Sequence, residues 1–326
     1  MTAIEWTDVT WNPVTGCSKV SPGCAHCYAE RQALGRLKGS CGYPGLPWTP
    51  GNAETNVVLR PERLNQPLRW RKPRMVFVNS MSDLFHERIP DDFIAAVYAV
   101  MTQTPQHTFQ VLTKRPARMA ALVGARGFID LVQQAVDALY DDPDDQYTQQ
   151  GPWPPLNVWL GTSIENPRFV GRADALRDTR AAVRFISAEP LLGPLVRPMT
   201  DARSRAWSGA SPMPDLDLTG IDWLIVGGES GPRARRIDAD WARDLRNAAR
   251  ATICPHCAGL GRGSSRCGEG CLRCGNRGTE TAFFFKQWGG PTPRAGGREL
   301  DGRTWDEMPV TTAATEAPRP RAAVFE

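Results

Sequence analysis

Short apolar runs recur along this chain, and each ends in a polar junction. They are Met75–Ser80, Thr108–Thr113, Asn157–Thr162, Val183–Ser187, Ile221–Val226 and Thr281–Lys286, with an earlier run at Val9–Val14. Amphipathic stretches lie between several of them. Pro90–Thr102 carries Phe93, Ile94, Val97, Val100 and Met101 on one stripe, a helix starts at Pro116–Val123, and Asp238–Ala249 forms another. Continuous apolar runs suit strands buried on both faces of a parallel sheet. Alternation with helices gives βα units. The expected class is α/β, a partial or complete parallel (β/α) barrel. An open doubly wound sheet would favour a GxGxxG turn after the first strand, and none is present.

The 326 residues suffice for one α/β barrel, and 41 % hydrophobic residues supply its core. Barrel sequence is expected over 1–252 and 280–309, a Cys-rich zinc-knuckle insertion over 253–279, and a disordered tail over 310–326, where Ala, Thr, Pro and Arg show no apolar period. Asp141–Pro155 and Thr200–Pro214 read as surface insertions. Net charge is +4, permissive of nucleic acid without requiring it. No basic-then-apolar leader and no membrane-length apolar run appear, so a cytoplasmic protein with no membrane partner is expected. In that compartment nine cysteines point to metal rather than disulfides.

Cys17, Cys24 and Cys27 are spaced C-x6-C-x2-C. A 4Fe–4S cube held by three thiolates keeps one iron open to another ligand, where four thiolates would close it. Zinc completed by His26, or three buried thiols, are the other readings. His26 and Cys27 are adjacent and cannot easily both reach one tetrahedral metal with Cys24.

Polar residues gather directly after the strands. The groups are Asn79-Ser80-Met81-Ser82-Asp83, Lys114-Arg115, Ser163-Ile164-Glu165-Asn166, Ala188-Glu189-Pro190, Gly227-Gly228-Glu229-Ser230 and Lys286-Gln287-Trp288. In a βα barrel the C-terminal strand ends share one face, which carries the chemistry. Any one group could equally be an ordinary helix cap, and any one acid a salt bridge to a neighbouring Lys or Arg.

These motifs, with Ile4-Glu5-Trp6-Thr7, Thr10-Trp11-Asn12-Pro13, Leu84-Phe85-His86 and Phe284-Phe285-Lys286-Gln287-Trp288-Gly289, carry a resemblance over nearly the whole chain. The chain resembles the phage-encoded three-cysteine-motif proteins, a group of unknown function treated as divergent radical S-adenosylmethionine enzymes. The commonest motif of that superfamily is C-x3-C-x2-C; here the first gap is six, and Gly16, Pro22 and Gly23 supply turns to span it. The resemblance implies a 4Fe–4S cluster on Cys17, Cys24 and Cys27, flanked by His26 and Tyr28, with S-adenosylmethionine as cofactor and an electron donor such as flavodoxin or ferredoxin as partner. Ser80, Ser82 and Asp83 would meet the methionine ammonium, and Lys114 or Arg115 its carboxylate. Ser163, Glu165 and Asn166 would serve the ribose. Glu189, Glu229 and Lys286 remain as catalytic candidates.

The second cysteine group is a pair of CxxC knuckles, Cys254 with Cys257 and Cys271 with Cys274; Cys267 is spare, and Cys41 lacks an evident partner. Two CxxC pairs suit a closed zinc site, and a glycine-rich stretch needs metal to fold. A second iron–sulfur cluster is the alternative there. Arg262, Arg266, Arg273 and Arg277 make the insertion basic, so it could also touch phosphate. Two functions follow. One is reductive cleavage of S-adenosylmethionine to modify a substrate, with a nucleic acid base or nucleotide preferred by analogy. The other is a non-catalytic nucleic-acid-binding protein with zinc at both cysteine groups.

Overall fold

The computed structural model describes residues 4–40, 42–140, 153–197, 216–252, 281–292 and 295–309. The expected zinc knuckle, with its ligands Cys254, Cys257, Cys271 and Cys274, lies outside the described residues, as do Cys41 and the tail. Among the described residues the chain forms two compact units, the first running to Gly161 with Asp178–Ala182 added, the second comprising Thr162–Arg177 and the described residues from Val183 to 309.

In the first unit the strands are β1 (Val9–Trp11), β2 (Val14–Thr15), β3 (Val58–Leu59), β4 (Met75–Val78) and β5 (Thr108–Thr113). β1 runs parallel to β4, with Val9 opposite Val76, and β4 parallel to β5, with Val76 opposite Phe109. The run expected as one strand over Val9–Val14 is broken at Asn12-Pro13. Its second part, β2, turns away to pair antiparallel with β3. Proline lacks the N–H a ladder needs, and the Pro13 carbonyl instead accepts from Arg60 N at 2.7 Å.

The helices here are α1 (Tyr28–Leu34), α2 (Ala53–Asn56), α3 (Asp91–Thr102), α4 (Pro116–Val123) and α5 (Arg126–Asp137). α3 follows Pro90, carries Asp91 and Asp92 in its first turn where they complement the helix dipole, and buries Ile94, Val97, Tyr98 and Met101. α5 buries Phe128, Val132 and Val136 at i, i+4, i+8, and Phe128 meets Tyr98 edge-on at 5.3 Å. The sequence reading stopped at Val123, where Gly124 ends α4, and missed this second helix.

β6 (Val158–Ser163) spans the passage from the first unit into the second, and all of it is buried. α6 (Arg172–Asp178) follows. In the second unit β7 (Val183–Ala188), β8 (Trp223–Gly227) and β9 (Ala282–Gln287) run parallel in that order, with Phe185 opposite Trp223 and Trp223 opposite Ala282. α7 (Ala239–Ala251) starts on the Asp238 carboxylate, which accepts from Asp240 N at 2.8 Å. The α/β class with parallel strands therefore stands. Buried β8 and β9 explain their unbroken apolar sequence. No helix among the described residues is long and apolar enough to cross a membrane.

Candidate functional site

The thiol loop hangs from Gly16, whose φ is +81°. A Cβ there would stand 1.8 Å from the Asn56 carbonyl oxygen, so only glycine fits. Gly16 N donates to Met81 O at 2.9 Å, fastening the root of the loop to the segment after β4. Cys17 follows directly, Cys24 ends a single 3-10 turn from Pro22, and Cys27 immediately precedes α1. Cys17 and Cys27 pack on one apolar cluster of Ala29, Ala33, Tyr43, Trp48 and Met81.

Burial pushes the Cys17 thiol up to about 12; the Asp83 charge pushes the same way, while Arg115 opposes both. Burial also raises Cys27, against the pull of the Glu30 and Ala29 backbone and of Lys114. A charge on Cys24 would raise both of the others, which places the three sulfurs in one electrostatic neighbourhood. Two soft donors whose thiols burial raises, Cys17 and Cys27, match a group that brings its own positive charge. Among the described residues no three His, Cys, Asp or Glu side chains stand in a metal-holding arrangement. The four thiols expected to hold zinc, Cys254, Cys257, Cys271 and Cys274, are not among those residues. Tyr28, expected beside the N-terminal thiols, is 53 % exposed.

Asp83 and Arg115 organise the strand ends beside this loop. One oxygen of Asp83 accepts from Phe85 N at 3.0 Å and Thr113 Oγ1 at 2.7 Å; the other accepts from Lys114 N at 3.0 Å and Arg115 Nη1 at 3.1 Å. Four donors occupy the carboxylate, which positions the end of β5. The Arg115 guanidinium also donates to Glu87 at 3.0 Å, to Ser18 Oγ at 3.1 Å, to Ser18 O at 3.3 Å and to Cys17 Sγ at 3.6 Å. Although burial opposes its charge, Asp83, the Cys17 sulfur and Glu87 hold it firmly protonated. Ser80 Oγ donates to Asn12 Oδ1 at 3.2 Å, and Ser82 Oγ to Val14 O at 3.0 Å. Both serines thus tie the end of β4 to the β1–β2 segment.

Ser18 and His86 form a buried pair, Oγ to Nε2 at 2.8 Å, which sequence reasoning missed. It resembles the nucleophile and base of a hydrolase, but the hydrogen bonds run the other way. His86 Nδ1 accepts from Arg88 N at 3.1 Å, so the ring proton sits on Nε2. That nitrogen donates to Ser18 and cannot take its proton. Burial and the neighbouring Arg115 lower the His86 pKa to about 4, which keeps the ring neutral.

In the second unit the acids after the strands each have a separate cation. Glu165, fully buried, accepts from Arg172 Nη1 at 3.1 Å; the same nitrogen donates to Ser163 O at 2.8 Å. The Asn166 side chain caps the next turn by accepting from Arg168 N at 3.0 Å. Glu229, 5 % exposed, accepts from Arg235 Nε at 2.8 Å and Arg235 N at 2.9 Å. Lys286 Nζ donates to Glu189 Oε1 at 2.6 Å. Gly227 lies under that pair, with room for a Cβ only 3.3 Å from Glu189 Cδ, and a Cβ on Gly228 would meet Trp288 O at 2.0 Å. These glycines make close approaches to the chain itself. Arg172 and Arg235 stand only seven and six residues beyond Glu165 and Glu229, but that spacing is no helical i,i+3 or i,i+4 pairing and carried no sequence signal.

The sequence model of a family described as "Protein of unknown function (DUF5131)" matches residues 1–257, which include every described site residue above except Lys286. No curated protein and no solved structure matches the chain. The match covers most of the sequence, and the chain belongs to this family.

Proposed function

We propose that this protein is a radical S-adenosylmethionine enzyme of phage or prophage origin, with a 4Fe–4S cluster on Cys17, Cys24 and Cys27. The observation that supports it most is the thiol loop at one end of a parallel α/β unit, where Cys17 and Cys27 pack on one apolar cluster, burial raises both thiols, and the buried Arg115 donates to the Cys17 sulfur. Such a cluster supplies one-electron reduction of S-adenosylmethionine at an open iron. This chain's own residues set the surroundings. Arg115 offers hydrogen bonds to the Cys17 sulfur and to Ser18, and Asp83 fixes its orientation. Lys114 is half-buried, and its ammonium makes no ion pair with a described residue. It is therefore the cation best placed to meet a substrate carboxylate, since Arg115 is fully engaged.

Of the acids in the second unit, Glu189 is the one we assign to proton transfer. It is paired to Lys286 through one oxygen and is 19 % exposed at its side chain, whereas Glu165 and Glu229 are buried under arginines. We assign the modified substrate to the nucleic acid bases or nucleotides.

Anaerobic reconstitution with iron and sulfide tests the proposal. The expected result is uptake of four irons per chain at the N-terminal trio, a cluster absorption band, and 5′-deoxyadenosine released under reductant. Cys24→Ala should remove all three. A protein that takes only zinc at Cys17, Cys24 and Cys27 would refute it and favour the non-catalytic nucleic-acid-binding alternative.

A further inference from the structure

β4 has two ends, and the thiol loop is tied to only one. At its other end the chain enters the strand through Arg69-Trp70-Arg71-Lys72-Pro73-Arg74. Arg69, Arg71, Lys72 and Arg74 are all exposed, and none is ion-paired to a described residue. Half-buried arginines elsewhere are paired at home, Arg243 and Arg246 with Asp301, Arg298 with Asp306 and Arg177 with Asp174, and exposed cations such as Arg126 and Arg180 stand singly; this loop differs in carrying four exposed cations within six residues. The carboxylate beside the loop, Asp8, accepts from Met75 N at 2.7 Å and is used to start the ladder.

The loop is held in shape. Trp70 N donates to Pro67 O at 3.1 Å, the Trp70 ring stands edge-on to His107 at 5.6 Å, and the Arg74 guanidinium covers that ring at 5.4 Å. His107 adds no further positive charge; burial and Arg74 favour its neutral form. Four like charges on six residues repel one another, and this loop contains no anion to relieve them. A row of exposed cations without ion-pair partners, one of them packed on an aromatic ring, is complementary to a run of phosphates.

We propose that this loop binds the phosphate backbone of nucleic acid, without sequence preference. β4 is four residues long, so about 13 Å of strand separates the loop from the Asn79–Asp83 end where the thiol loop is tied. The loop is thus an anchoring surface apart from the site proposed above, and it does not depend on the cluster. Its test uses the full chain as purified, with its metals.

Fluorescence anisotropy would follow a labelled single-stranded oligonucleotide titrated with the full chain between roughly 50 and 200 mM salt. The variant is R71E/K72E, both side chains exposed, and the control is R126E/R180E, two exposed arginines with the same change in charge. The expected result is at least a tenfold loss of affinity in R71E/K72E, and a salt slope shallower by about 1.4, the loss of two single-strand phosphate contacts. The control should keep wild-type affinity to within about twofold. Equal losses in both variants would overturn the proposal, as would unchanged binding in R71E/K72E. So would vesicles containing phosphatidylserine that bind in a loop-dependent way while the oligonucleotide does not. Unchanged thermal melts confirm that both variants fold.

Discussion

The strand ends of the two units solve the problem of holding charge in different ways. In the first unit one guanidinium, Arg115, serves Asp83, Glu87, Ser18 and the Cys17 sulfur together. In the second, Glu165, Glu189 and Glu229 bond to different cations, Arg172, Lys286 and Arg235. A shared cation makes a cooperative node: any member that leaves changes the charge felt by the rest. Separate pairs behave as independent units. Under the proposed function, the first arrangement would keep the Cys17 surroundings linked to Asp83 and Glu87, and the second would hold each acid in place separately.

The largest expected effect comes from the root of the shared site. Gly16→Ala places a methyl group 1.8 Å from a backbone oxygen at a positive φ, and backbone cannot move aside as a side-chain tip can. We expect a loss of more than about 4 kcal/mol in urea unfolding, because overpacking and backbone strain combine. Gly51→Ala, which meets nothing within 4 Å, is the control and should stay within about 0.5 kcal/mol. Near-equal values for the two would mean that the loop is not fastened as described.

Asp83→Asn comes next. The amide cannot accept from all four donors, and Arg115, whose side chain is 10 % exposed, loses a buried partner. Breaking a buried pair from one side costs roughly 3–5 kcal/mol, and Glu87, 60 % exposed, can recover only part of it. The same variant should change the reactivity of Cys17 toward a thiol reagent. Asp83 is one of the groups that raise that thiol, so its removal should speed alkylation. Unchanged stability together with unchanged alkylation would break the idea of a node.

A pH experiment reads the node from its neutral member. The His86 pKa is about 4 in the folded protein against an ordinary 6.5. Above 6.5 both states are neutral and stability is complete. Between 6.5 and 4 only the unfolded chain binds the proton, so stability falls as pH falls, by about 1.4 kcal/mol per unit, and then levels. The groups facing the ring are Ser18, Arg115, Glu87, Asp83 and Arg118. His86→Gln keeps a donor toward Ser18 and should flatten that slope. A slope as steep as wild type would assign the acid sensitivity to the carboxylates instead.

These regions were unequally legible in the sequence. Strands β4, β5, β7, β8 and β9 were found within about two residues because buried parallel strands write continuous apolar runs. β2 and β3, two residues each, are too short for any period to show. The thiols and the polar groups after the strands were readable because residue type and spacing carry that chemistry. The partners were not. Ser18 and His86 are 68 residues apart, Asp83 and Arg115 are 32, and Glu189 and Lys286 are 97, so local pattern holds no trace of those contacts. The roles expected for Ser80, Ser82 and Asp83 came from their position after a strand. The fold shows their side chains joined to Asn12, Val14 and the start of the segment after β5.

The smallest effect sharpens the comparison most, since it asks whether energies add. In the second unit Glu229→Gln and Lys286→Met touch different ion pairs, Glu229 with Arg235 and Lys286 with Glu189. Each should cost about 1–2 kcal/mol, the Arg235 contribution being reduced because its side chain is 34 % exposed. The double variant should then equal the sum within about 0.5 kcal/mol. In the first unit Asp83→Asn and Glu87→Gln share Arg115, and the second loss should depend on the first. Once Asp83 is gone, Glu87 is the guanidinium's remaining acid, so Glu87→Gln should cost at least about 1 kcal/mol more in that background than in wild type. Additivity in both units would reduce the node to a set of ordinary pairs. Coupling in both would mean that the acids after β7 and β8 form a network of their own.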